Sequence, residues 1–298
     1  MTLDPILAQI LSLSPPEPDY ANFTAGEARA AMMVRVGPLL AAAPLPDSRQ
    51  DLVHDGVALR IIRPATPGPH KVVLFLHGGG WVVCSNDTHQ PLAVAIARAT
   101  GAAVVMVDYR LAPEHPFPVP LADCLVGLDW VRDHGTGHGL DPSRIVVAGD
   151  SAGGNLAAAV AAHAPDLAGQ WLIYPVTDHP DPAAYPSYTE NDAGYGLSTA
   201  AMRWYWSLYE GNGPDARPMQ RKDLAGLPPA LVQTAQYDVL RDEGEAYAAR
   251  LSLAGVATIC SRHAGMAHGF LSLAGMLPAA DAALAEGAAW VMARLQSR

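Results

Sequence analysis

Short apolar runs at residues 72–76, 103–107, 145–148, 171–174 and 230–235 alternate with stretches of helical character at 91–100, 121–134, 152–163, 243–254 and 279–295. The runs are nearly continuous in aliphatic residues, as expected of strands buried on both faces of a parallel sheet. The alternation predicts an α/β architecture: an open, doubly wound, mostly parallel central sheet flanked by helices. Residues 51–63 instead alternate apolar with polar, as an antiparallel edge strand or hairpin would. Helix starts are expected at Asp141-Pro142-Ser143 and after Asp242, where acidic or cap-type residues come first.

Two regions break the alternation. Residues 1–45 hold an amphipathic helix at about 24–36 between proline-rich stretches, and residues 178–220 are rich in Pro, Gly, Tyr and Trp. A long insertion with no strand of its own is usually functional or disordered, and this aromatic content favours a lid over something apolar. The plainer reading is a surface elaboration that merely covers the sheet. Half the residues are hydrophobic and 16% are charged, so a large core is available and the composition argues against disorder. A net charge of −10 argues against nucleic acid, which needs clustered Lys and Arg.

Cys84, Cys124 and Cys260 make no metal-binding spacing, and an odd, sparse count suits buried thiols in a reducing compartment. The first residues lack a signal peptide's basic start and apolar centre, and no apolar run approaches the roughly 20 residues that span a bilayer. The expectation is a cytoplasmic protein with no membrane partner and no metal.

Gly149-Asp150-Ser151-Ala152-Gly153 matches G-x-S-x-G between the run at 145–148 and the alanine-rich helical stretch. The flanking glycines permit a tight strand-to-helix turn that exposes the serine Oγ. A helix starting at Ala152 aims free N–H groups and its positive dipole end at a developing oxyanion. Alone the five-residue pattern is weak, because glycines recur in any such chain; strand before and helix after make it strong.

His77-Gly78-Gly79-Gly80-Trp81 directly follows the run at 72–76. Three glycines in a row sacrifice backbone entropy, which a fold tolerates where main chain must approach a ligand. The N–H groups of Gly79 and Gly80, with that of Ala152, are the expected oxyanion hole. The phosphate-loop spacings G-x-x-x-x-G-K-[ST] and G-x-G-x-x-G are absent. His77 precedes the elbow and reads as a loop-orienting hydrogen bonder.

An elbow serine of this kind is followed along the chain first by its acid, then by its histidine. Asp238 closes the strand that begins at 230 and is the expected acid; Asp242 reads as the cap of the next helix. Of the later histidines, His263 belongs to the end of a strand at 257–262, while His268 lies on the loop beyond. A base must reach the serine from a loop, so His268 is favoured.

Together these residues resemble the bacterial hormone-sensitive-lipase-like esterases with a GDSAGG elbow. The resemblance runs from about residue 50 to the end and rests on 77–81, Asp108-Tyr109-Arg110-Leu111-Ala112-Pro113-Glu114, 149–154, 238–244 and His268-Gly269-Phe270. It implies an α/β-hydrolase fold with a helical cap: cap at 1–45, core at 46–177, cap insertion at 178–220 and core again at 221–298. It also implies a bracing pair between Arg110 and Glu114. Cys84 stands where relatives commonly carry glycine, and Gln236 and Val239 replace a frequent Glu and Pro around the acid.

The implied function is a carboxylic-ester hydrolase for short- to medium-chain acyl esters. Ser151 is the nucleophile, His268 the base and Asp238 the orienting acid, with no cofactor. Trp81, Asp150, Tyr195, Trp204 and Trp206 are candidate pocket residues. The expected partner is a small-molecule ester, with the protein a monomer or homodimer. Amidase, formamidase or lactonase chemistry on the same triad stays open, as does a non-catalytic ligand-binding role on the same scaffold.

Overall fold

The computed structural model describes residues 2–13 and 18–296. Residues 14–17, in the proline-rich stretch ahead of the expected cap helix, lie outside the described residues, as do residue 1 and residues 297–298. In chain order the elements are α1 (Pro5–Ser12), α2 (Ala25–Ala42), β1 (Ser48–His54), β2 (Val57–Arg63), β3 (His70–Leu76), α3 (Asn86–Thr100), β4 (Ala103–Asp108) and α4 (Val119–His134). Then come β5 (Leu140–Asp150), α5 (Ala152–His163), β6 (Gly169–Ile173), α6 (Ser187–Glu190), α7 (Thr199–Tyr209), β7 (Ala230–Tyr237), α8 (Arg241–Leu253), β8 (Thr258–Ala267) and α9 (Pro278–Gln296).

One sheet takes the order β1-β2-β4-β3-β5-β6-β7-β8. The hairpin β1–β2 is antiparallel and joins β4 antiparallel; every other pairing is parallel. Successive side chains of a strand leave opposite faces, and both faces here are covered. On β3, Val72, Leu74 and Leu76 belong to the same core as residues of α4, α5 and α8, whereas Val73 and Phe75 belong to the core on the other face with residues of α3 and α9. The apolar runs of the inner strands are therefore continuous because neither face meets water there, whereas the edge strands β1 and β8 keep exposed residues.

Three local expectations change. Asp141-Pro142-Ser143 begins no helix: Leu140 and Asp141 pair with His70 and Lys71, drawing the segment into β5. Ser143 N–H does donate to Asp141 Oδ1 at 3.0 Å, so the capping contact forms but serves a turn within an extended segment. Helix α3 starts five residues earlier than Pro91, because Ser85 accepts from Asp87 N–H and Thr88 bonds back to Ser85 N–H. Helix α2 starts beside the expected position, under a Thr24–Glu27 capping box, and continues past Pro38 to Ala42.

The segments expected to form the cap touch each other. Trp204 on α7 packs against Tyr20 and Phe23 and donates its Nε1–H to Phe23 O at 3.1 Å. Among the described residues, no helix is long and apolar enough to cross a membrane.

Candidate active site

Four strands, β3, β5, β7 and β8, deliver the site at their carboxyl ends. β5 ends at Asp150, and Ser151 turns the chain with φ 57° and ψ −119° before α5 begins. That left-handed conformation costs a non-glycine residue energy and is held by its surroundings. Ser151 N–H donates to Ile173 O at 2.8 Å and Ser151 O accepts from Val176 N–H at 3.2 Å. A Cβ on Gly149 would collide with Gly153 O, and one on Gly153 with Leu76 O. The elbow glycines are thus required by close approach of main chain to main chain.

β7 leads into Asp238 and β8 into His268. His268 Nδ1 lies 2.7 Å from Asp238 Oδ2, and its Nε2 lies 2.9 Å from Ser151 Oγ. The Asp238 side chain is wholly buried, with Oδ1 accepting from Leu240 N–H at 2.9 Å. A carboxylate beside Nδ1 assigns the proton to that nitrogen, leaving the Nε2 lone pair to accept from the serine hydroxyl. The ring of Tyr174 meets the His268 imidazole edge-on, centroids 4.9 Å apart. This arrangement can deprotonate an attacking serine and hand the proton to a leaving group.

Beside the serine, the loop after β3 folds back as Gly79 O accepts from the N–H groups of Val82 and Val83. Gly79 and Gly80 take φ values of 116° and 58°. Among the described residues, the N–H groups of Gly79, Gly80 and Ala152 have no acceptor within the protein. Gly78 N–H is used differently, donating to Asp150 Oδ1 at 2.9 Å. His77 orients the loop: its Nδ1 lies 2.7 Å from Gly78 O, and burial, then the charge of His89, lowers its pKa to about 3.

The other sequence candidates scatter. Trp81 is fully buried, stacked on Tyr209 with centroids 4.0 Å apart, and Asp150 turns its buried carboxylate toward Gly78 and His89. Trp204 packs against Tyr20 and Phe23. Trp206 lies between Trp81 and His179, and Tyr195 stacks on Tyr237, the neighbour of Asp238.

Sequence reasoning passed over Tyr205. A Cβ on Gly80 would collide with its Cδ1, so Tyr205 lies directly against the glycine loop. Consecutive residues of a helix point about 100° apart, so two inward tryptophans at 204 and 206 already imply a third direction for 205.

Three expectations are corrected. Arg110 does not brace Glu114; it clasps Asp123 of α4, with Nε and Nη2 at 2.9 and 2.7 Å. Glu114 is taken by Arg29 of α2, which also donates to Val82 O and Ala112 O. Asp242 does not cap α8 either: it stands in the helix's first turn, accepts from Ser187 N–H and pairs with Arg241. The Leu240 N–H at the cap is taken by Asp238 instead. His263 lies inside β8 rather than at its end, 3.4 Å from Glu286 and against Phe270.

Residues 73–272 match the family described as alpha/beta hydrolase fold. A carboxylesterase of Mycobacterium tuberculosis is 37% identical, over 96% of this chain and 94% of its own. An ethyl acetate hydrolase of Pseudomonas putida is 35% identical, over 84% of this chain and 83% of its own. The solved esterase of Pyrobaculum calidifontis superimposes with a TM-score of 0.90 at 35% identity, covering 99% of this chain and all of that one.

Proposed function

Because the chain belongs to the alpha/beta hydrolase fold family, among its bacterial hormone-sensitive-lipase-like esterases, we propose that its ester hydrolysis runs through Ser151, His268 and Asp238. The chain is a carboxylic-ester hydrolase; the roles of its residues are our reading. The observation that carries it is the continuous hydrogen-bonded path from Asp238 through His268 to Ser151 Oγ.

Ser151 Oγ attacks the ester carbonyl as His268 Nε2 takes its proton, and Asp238 steadies the imidazolium. The carbonyl oxygen becomes an oxyanion held by Gly79, Gly80 and Ala152 N–H, each donor worth about 3 kcal/mol in such sites. His268 then protonates the departing alkoxide, leaving an acyl-serine. Water, deprotonated by the same nitrogen, cleaves it to the acid and restores Ser151.

We assign short- to medium-chain acyl esters as substrates, which likeness to an ethyl acetate hydrolase supports. The cap is assigned to residues 1–45 and 178–220, on the contacts of Trp204 with Tyr20 and Phe23. We read the protein as cytoplasmic, since Cys84, Cys124 and Cys260 are all free thiols, and as a monomer or homodimer, which sedimentation would decide.

The test is turnover of p-nitrophenyl esters of graded acyl length by wild type and Ser151→Ala. An optimum at short or medium chains that vanishes in the variant is expected. Hydrolysis retained by Ser151→Ala refutes the nucleophile; a folded wild type inert on every ester points instead to an amide, a lactone or a binding role.

A further inference from the structure

Asp150 carries a buried charge that the hydrolytic steps never use. Its residue is 5% exposed, and burial works to raise its carboxyl, yet His89 and the Gly78 N–H hold it below its usual value. Burying an unpaired carboxylate would cost several kcal/mol, so its partners decide what it can do. One is Gly78 N–H, bonded to Oδ1 at 2.9 Å. The other is His89 of α3, 8% exposed, whose Nε2 lies 3.3 and 3.4 Å from the two carboxylate oxygens.

The opposite edge of the His89 ring is also engaged. Nδ1 lies 2.9 Å from Thr88 Oγ1, and that oxygen contacts the main chain of Ser85 as acceptor and donor. The imidazole is therefore fixed at both nitrogens in a helix-start capping network. His77, the other imidazole nearby, turns its Nδ1 to Gly78 O and stacks on Tyr109, so compensation of Asp150 falls to His89. Fit at Gly78 is close: a Cβ there would lie 2.6 Å from Asp150 Oδ2.

We propose that His89 is a positioning residue for the oxyanion hole: through Asp150 it fixes Gly78, and hence the N–H groups of Gly79 and Gly80, where the tetrahedral intermediate needs them. This rests on the reading of Gly79 and Gly80 as oxyanion donors. Removing one such donor outright costs about 10²–10³ in kcat, so losing its alignment costs less, about 10- to 100-fold.

The experiment measures steady-state kinetics and the affinity of a substrate-shaped trifluoromethyl ketone, whose serine adduct carries an oxyanion. In His89→Leu, kcat falls by that factor with KM nearly unchanged, and ketone affinity falls in proportion to kcat/KM. His89→Gln, which keeps an N–H for Asp150, retains most of both. Adding Asp150→Asn to His89→Leu removes the stranded charge while leaving an acceptor for Gly78 N–H, and activity recovers. That double variant also guards against a single variant that fails to fold.

A folded His89→Leu with kcat/KM and ketone affinity within about twofold of wild type overturns the inference. So does a fall in kcat with ketone affinity per active site intact, the mark of a purely structural role. The underlying reading fails separately. If wild type binds the trifluoromethyl ketone no better than the unfluorinated one, the oxyanion hole is misassigned. If Ser151→Ala still turns over, the nucleophile is.

Discussion

Arg29 grips Glu114 with two hydrogen bonds, at 2.8 and 2.6 Å, across 85 positions of sequence. The same guanidinium donates to Val82 O at 2.9 Å and to Ala112 O at 3.0 Å. It thereby fastens α2 to the loop that runs on from Gly78, Gly79 and Gly80.

The two halves of this clamp differ in worth. Arg29 and Glu114 side chains are 34% and 54% exposed, so their ion pair contributes little beyond about 0.5 kcal/mol. The two carbonyls lose a charged donor only when the arginine goes. Glu114→Gln is expected to be nearly neutral in urea unfolding, and Arg29→Ala to cost about 1–2 kcal/mol and to lower kcat. Equal effects would mean that the ion pair, not the carbonyl contacts, holds the helix.

Asp238→Asn tests the acid without emptying its place. Asparagine can still accept Leu240 N–H, but facing Nδ1 with an amide N–H favours the tautomer whose Nε2 carries the proton. A serine hydroxyl then meets a donor instead of a base. We expect kcat to fall by about 10⁴ with stability little changed, measured on the ester series. A loss under about tenfold would move the acid elsewhere, Asp242 being the nearest carboxylate along the chain.

How far the sequence carried is visible in these residues. The buried strands were legible because burial on both faces leaves a local signature, and the elbow and glycine loop because their turns need glycine. Arg29 was not, since nothing within a few residues of it marks a partner at Glu114. The Asp141–Ser143 segment misled because the same Asx contact starts helices and shapes turns, and only pairing with His70 and Lys71 decides between them. Aromatic character alone did not single out Tyr205 of α7, which packs against Gly80, from candidates such as Trp81, which stacks on Tyr209.

Cys84 sits just past the glycine loop at φ 74°, a conformation that suits glycine. A non-glycine residue there costs about 1 kcal/mol, part of which glycine returns as unfolded-chain entropy. Burial also pushes the Cys84 thiol up to about 12, so it contributes no nucleophile at neutral pH. Cys84→Gly should therefore raise the urea midpoint slightly and leave kcat/KM unchanged. A loss of activity would show that the side chain shapes the loop through its contact with the Gly79 region.

Glu243 gives the pH dependence a specific source. It is fully buried in α8; Oε1 accepts from Thr177 N–H at 2.6 Å and Asp178 N–H at 3.2 Å, and Oε2 from Tyr188 O–H at 2.6 Å. Burial nevertheless outweighs these bonds and raises its pKa from 4.5 to about 8. A folded pKa above the unfolded one means that the native state holds the proton longer. The associated stability is complete below about 4.5 and is lost as pH rises through about 8. The histidines with lowered values, His77, His179 and His263, are shared by wild type and variant, so their contribution cancels in the comparison. Between pH 7 and 9 wild type should lose about 1.4 kcal/mol more unfolding free energy than Glu243→Gln. Urea titrations at the two pH values measure the difference, and parallel slopes would show that Glu243 is ionised throughout, its three donors having overcome burial.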